Sequence, residues 1–179
     1  MSAQAFCLVS MMVVSGPSSG SSHLVPTGMG YSLLLLAHVA SAVVGFGALG
    51  VTGVQAARAC HGPTGPHAVA ARRYFRPGVN WSARVLYLVP VFGFALLVDS
   101  GRAFDVSDAF VLSGLGMWLV AAAMAEALVW PAERRIQRIV THDWRLGEPL
   151  RRDCARVVSA TWFLAFIFVS AVVVMVAKP

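Results

Sequence analysis

Within its apolar segments this chain carries few side chains able to do chemistry, and the first is the imidazole of His38 in LLLLAHVASAVVGFGALG, residues 33–50. Removing a polar ring from water is costly unless a partner replaces its hydrogen bonds. Imidazole and thioether are ligands for haem iron and for copper. His38 lies ~10 Å below the outer end of its segment at 1.5 Å per residue, and Met117, on a segment running the other way, lies roughly 13 Å below it. The two are level, so His38 with Met117 is a candidate axial pair for a haem held between helices. His38 with methionine or water is a candidate copper site. The plainer role is a hydrogen bond from His38 to a hydroxyl, or to a carbonyl freed near Pro90, that sets helix register. His23, His61, His67 and His142 fall in loops and supply no second imidazole inside a bundle.

Glu126 is the other charged group at membrane depth. It lies about one turn from the opposite end of its segment, too far from His38 to pair with it. Its expected role is an interfacial anchor, paired with Arg134 or Arg135. Asp99 sits near the outer edge. The cysteines Cys7, Cys60 and Cys154 are unrelated in spacing and form no C-x-x-C, zinc or disulfide pattern. Gly45, Gly47, Gly50 and Gly53 follow no strand and read as helix packing, not as a phosphate loop. With no hydrolase, kinase, nucleotide-binding or redox motif, the chain is expected to be non-enzymatic.

The elements that must position these groups follow from composition. The 179 residues are 58% hydrophobic and only 12% charged, with a mean hydropathy of +0.71, outside the range of a soluble domain of this size. A helix needs about 20 apolar residues to cross a bilayer. Four segments meet that length, about residues 31–57, 79–99, 108–131 and 156–177, and the expected fold is an all-α, integral-membrane four-helix bundle. Thirteen arginines to one lysine make up the basic side of a net charge of +6. They crowd the first and third loops, which the positive-inside bias places in the cytoplasm of a bacterial inner membrane, with both termini outside. The charge therefore reports topology, and nucleic acid is not an expected partner.

On the first segment His38, Ser41, Gly45, Ala48, Thr52 and Gln55 advance by three and four, so they share one small or polar face. Small residues let a second helix approach closely, and that face is predicted to look into the bundle. Leu35, Val43, Phe46 and Leu49 fall opposite and read as lipid-facing. The third segment carries a comparable stripe at Gly116, Leu119, Ala123, Glu126 and Trp130. The two stripes are expected to pack together or against the fourth segment. Pro90 removes a backbone donor within the second segment and predicts a kink. Arg84 is expected to snorkel, with Trp81 and Tyr87 at the interface. Ile136, Ile139, Val140 and Trp144 recur at helical spacing in the third loop, which reads as an amphipathic helix on the inner leaflet or as a solvated linker. Residues 1–28 are expected to be a disordered or misassigned N-terminal extension, with Met29 the natural start and residues 29–179 a single four-span domain.

The stretches RRYFRPGVNWSARVLYLVPVFGFALL and WPAERRIQRIV resemble those of a family of predicted bacterial integral membrane proteins, the domain of unknown function numbered 2269, over about residues 31–175. The histidine followed by a small-residue run in LLAHVASAVVGFGALG also resembles the opening helix of the copper-resistance D type and of the membrane protoporphyrinogen-oxidase type. The latter likeness would carry its first-helix histidine onto His38, although Gly45-Phe46-Gly47 stands where that type has a tryptophan-glycine signature. The small-residue stripe and the arginine-rich loops suit a structural or accessory membrane subunit that binds a membrane protein or its own copies; the alternative is a haem- or copper-binding protein using His38, for haem with Met117.

Overall fold

The computed structural model describes residues 28–100, 104–142, 144–145 and 147–177, and every regular element among them is helical. The extension expected over residues 1–28 lies, Gly28 apart, outside the described residues. The first span is α1 (Met29–Ala59). A short helix, α2 (Pro66–Tyr74), follows with proline at its first position, where the missing N–H costs nothing. The second span begins as α3 (Trp81–Arg84), tightens into a 3₁₀ turn over Val85–Tyr87, and continues as α4 (Leu88–Asp99). The third comprises α5 (Ala109–Met124), a π turn over Ala125–Val129 and α6 (Trp130–His142). The fourth is α7 (Glu148–Ala177). All four are long and apolar enough to cross a membrane.

The third and fourth spans run well beyond their expected ends. The amphipathic stretch of the third loop is not a separate helix on a membrane surface but α6, continuous with the third span. Its apolar face is turned to protein: Ile136 and Val140 are buried, as is Trp144 just beyond. The arginines on the other face gave this stretch the look of a loop, because Arg134 and Arg138 point outward while Glu133 and Ile136 point in.

The first span packs between the fourth span and the second, and the third packs chiefly on the fourth. Gly45 makes the first contact possible. A Cβ there would lie 2.8 Å from the Leu86 backbone, so only glycine permits this approach. About two turns on, a Cβ at Gly53 would lie 2.9 Å from the Thr161 Cβ of the fourth span. Because α1 has neighbours on two sides, its buried face is wider than the stripe. Ser41, Gly45 and Thr52 are buried as expected, but Leu49 is only 1% exposed and Phe46 packs on the core, so neither is lipid-facing.

The third span is turned away from its expected orientation. Ala121, Ala122, Ala125, Val129 and Trp130 are its buried residues, whereas Gly116, Leu119, Ala123 and Glu126 lie on its outer surface. Both faces are rich in small residues, so periodicity alone does not choose between them. Trp118 decides the rotation in part, because its indole N–H donates to the Leu86 carbonyl at 2.9 Å. That carbonyl is the one deprived of its helical donor by Pro90, four residues on. The membrane interior offers no water to satisfy it, and the tryptophan does so instead.

Candidate functional site

Two polar constellations lie at opposite ends of the bundle. The first centres on His38, whose ring meets the second span. Its Nδ1–H donates to the Val89 carbonyl at 2.9 Å, leaving a lone pair on Nε2. The ring fits because position 93 is glycine: a Cβ there would stand 3.3 Å from the His38 Cε1. Ser41 donates to the His38 carbonyl at 2.8 Å and stays within its own helix. Met117 is half-buried against the core on α5, which packs on the fourth span and not chiefly on the first. Thus the structure gives His38 a backbone partner on the second span and sets Met117 on a helix that is not a main neighbour of α1. Among the described residues, no group of three or more His, Cys, Asp and Glu gathers as a metal site.

The second constellation occupies the arginine-rich end and is far denser. Glu126 sits in the π turn, an insertion that re-aims side chains and recurs at functional sites. Its Oε1 accepts from the Tyr87 hydroxyl at 2.5 Å and lies 3.9 Å from the Arg84 Nη1. The Arg84 guanidinium in turn lies over the Trp130 ring, 4.2 Å from its centroid, and the Tyr87 ring packs between Trp118 and Trp130. Glu126 therefore pairs with Arg84 and not with Arg134 or Arg135. The reason is distance, since eight residues along one helix span about 12 Å. The antiparallel second span, by contrast, brings Arg84 level with it. Arg135 instead makes a forked pair with Asp153 of α7 at 2.9–3.0 Å, joining the ends of the third and fourth spans. Arg134 is exposed beside Glu133.

Behind this cluster a hydrogen-bonded chain ties α1 to the loop before α3. The Asn80 amide donates to the Tyr74 hydroxyl at 2.8 Å, that hydroxyl shares a 2.6 Å bond with Thr52, and Thr52 donates to the Ala48 carbonyl at 3.0 Å. Asn80 also caps α3, its side-chain oxygen accepting from the Ala83 N–H. Burial raises the Tyr74 pKa above its ordinary value, the bond to Thr52 opposing it. Glu133, only 5% exposed, faces Asn80, Arg84 and Arg134. Sequence reading missed Tyr74, Asn80 and Glu133. The only local signal was an asparagine just ahead of a helix start; the rest is brought together by packing.

Small residues thus hold the spans close, and His38, Trp118 and Glu126 each find a partner on a neighbouring span, which is the organisation of an integral membrane bundle. No curated protein and no solved structure matches this chain. Residues 32–179 match the family of predicted integral membrane proteins designated DUF2269, and the chain belongs to that family.

Proposed function

We propose that the protein is a non-catalytic accessory subunit of a bacterial inner membrane, its arginine-rich end in the cytoplasm and both termini outside. It associates through the outer face of its third span with a membrane helix of a partner protein or of a second copy. The observation that carries this reading is Glu126, whose side chain is 52% exposed on a face shared with Gly116 and Ala123. Tyr87 and Arg84 meet one side of this carboxylate, and leaving its other side exposed at the boundary of the acyl chains is costly. Small residues beside it allow a second backbone to approach. A photo-crosslinking side chain placed at Ala123 is expected to capture a membrane protein or a second copy. One placed at Phe166, exposed on the fourth span, is expected to capture lipid only. Equal protein capture from both positions, or none from Ala123, would refute the assignment.

A second reading, haem or copper binding, is favoured by one feature of His38. Histidines that ligate metals commonly donate their other ring N–H to a carbonyl, which fixes the tautomer, and the bond to Val89 does this for Nε2. The absorption spectrum of detergent-purified protein, with its copper content after growth in added copper, tests it. A haem band or bound copper that disappears in His38→Ala supports the reading; absence of both from the wild-type protein rejects it.

A further inference from the structure

We propose that the cleft at the arginine-rich end holds the headgroup of a phospholipid that carries both a phosphate and a primary ammonium group. This proposal does not depend on the accessory-subunit reading. The cleft, a shallow one open to the surface, lies between the loop leading into α3 and the outer side of α6, lined among others by Asn80, Arg84, Trp130, Glu133, Arg134 and Gln137. Gln137 closes one wall by donating to the Gly78 carbonyl at 3.4 Å.

Its depth is that of headgroups. Trp81, largely exposed at the start of α3, and Trp130, where the apolar part of the third span gives way to the arginine-bearing α6, stand where tryptophan prefers the membrane interface. Arg84 lies one turn into its span, so its charge is held at the boundary between acyl chains and water.

The charges specify the ligand. Two guanidinium groups, Arg84 and Arg134, suit a phosphate. Arg84 is already fixed in place by the Trp130 ring and by Glu126. Trp130 also carries an indole N–H buried without an acceptor among the described residues. Yet Glu133 in the wall and Glu126, outside the cleft but 3.9 Å from Arg84, offset the two arginines, so charge alone does not select an anion. What remains is a nearly buried carboxylate, Glu133, beside two cations. A primary ammonium offers it three N–H donors, whereas a quaternary ammonium offers none and a glycerol headgroup offers no charge. A zwitterion with a phosphate toward the arginines and an ammonium toward Glu133 meets every group.

Native mass spectrometry of the detergent-purified protein, with phosphatidylethanolamine, phosphatidylcholine and phosphatidylglycerol of identical acyl chains, tests this. Wild-type protein is expected to retain the ethanolamine lipid about tenfold better than either other, the scale of one charge-assisted hydrogen bond. Glu133→Gln is expected to abolish that preference. Arg134→Glu, at an exposed position where folding is not at stake, is expected to abolish retention of all three. Circular dichroism establishes that each variant keeps its helix content. Equal retention of the three lipids by the wild type overturns the proposal, as does undiminished ethanolamine-lipid retention in Arg134→Glu. Displacement of the lipid by an equal concentration of soluble phosphoethanolamine would overturn the lipid as the source of the headgroup.

Discussion

The two ends of this bundle are held together by different means. At the arginine-rich end Ala56 and Ala59 of α1, Phe75, Ala83, Ile136, and Leu150 and Val157 of α7 are all buried, and three polar systems stitch the elements: Thr52–Tyr74–Asn80, Arg84–Glu126–Tyr87 and Arg135–Asp153. Toward the other end no residue of α4 is buried, and the fourth span buries nothing beyond Ile167. There, among the described residues, the polar link between spans that reaches inward is His38 to Val89. The contrast follows from the solvent each end meets. Acyl chains are as apolar as leucine, so there is no hydrophobic gain in covering an apolar side chain, and close packing or polar pairing must supply the attraction. Where α6 and the start of α7 leave the apolar zone, water restores the hydrophobic gain and the core becomes dense. The arginine-rich end should therefore dominate stability, and the opposite end should tolerate change except at its few points of close approach.

The largest effect is expected where the two regimes meet, at Gly45. A Cβ there would press on the Leu86 backbone, which has no rotamer with which to yield. Gly45→Leu is expected to cost about 3 kcal/mol or to prevent folding, at the upper end for overpacking a tight site. Gly50, on the same helix, has open space where its Cβ would be. Gly50→Leu is expected to be neutral or stabilising by up to roughly 1 kcal/mol through helix propensity. Unfolding in mixed detergent and SDS, followed by circular dichroism, compares the two, and equal stabilities would refute the close approach of the first and second spans.

Next in size is Asp153→Asn. It leaves Arg135 without the carboxylate that binds it in a fork, between the ends of the third and fourth spans. The aspartate is nearly buried, but the arginine is more than a third exposed. The cost is accordingly set at about 1–2 kcal/mol, between values for surface and buried pairs. The same unfolding measurement serves, and restoration by Asp153→Glu would implicate the charge. A change below about 0.3 kcal/mol, within the range of an ordinary surface substitution, would mean that this end does not depend on its ion pair.

These contrasts also explain what could be read in advance. The four spans were legible because length and apolarity are properties of a segment alone, and the inward face of α1 was legible because Ser41, Gly45 and Thr52 differ chemically from the valines opposite. Phe46 was not, since it packs on Phe168 of a second neighbour, the fourth span, and no local pattern encodes how many neighbours a helix has. The rotation of α5 was illegible for a related reason: Gly116 and Ala123 are as small as Ala121 and Ala125, and the choice between them falls to Trp118 and the carbonyl freed by Pro90. Partners separated by many residues, such as Glu126 with Arg84, exist only once antiparallel spans bring them level. The cluster at the arginine-rich end could not be assembled from spacing, although Glu126 itself could be singled out as a charge at depth.

Tyr74→Phe tests the same end more gently. It removes a hydroxyl that accepts from Asn80 and shares a bond with Thr52, while Thr52 keeps its bond to the Ala48 carbonyl. The expected loss is about 1 kcal/mol, the net worth of a typical hydrogen bond. It also carries a pH signature. Burial, chief among its causes, raises the Tyr74 pKa in the folded protein. The stabilisation tied to this protonated hydroxyl is complete below the unfolded value of about 10 and is lost as pH rises through the higher folded value. Wild-type stability should therefore fall above about pH 10 more steeply than that of Tyr74→Phe. Parallel pH profiles would show that the hydroxyl is not shielded as the Asn80–Tyr74–Thr52 chain requires.

The smallest effect is expected at the opposite end, from His38→Leu. The substitution removes the bond to Val89 but puts an apolar side chain into an apolar setting, beside a glycine that leaves room for it. Hydrogen bonds between membrane helices average only about 0.6 kcal/mol, because the unfolded segments also find partners in the bilayer. The loss should be of that size, less than for Asp153→Asn. A stability cost above about 2 kcal/mol, beyond the largest such bond, would break the contrast by showing that the sparse end is held by one imidazole. A negligible cost would sharpen it: a polar ring kept at membrane depth without contributing to folding is one whose free Nε2 has another use, which returns the question to the spectrum of the purified protein.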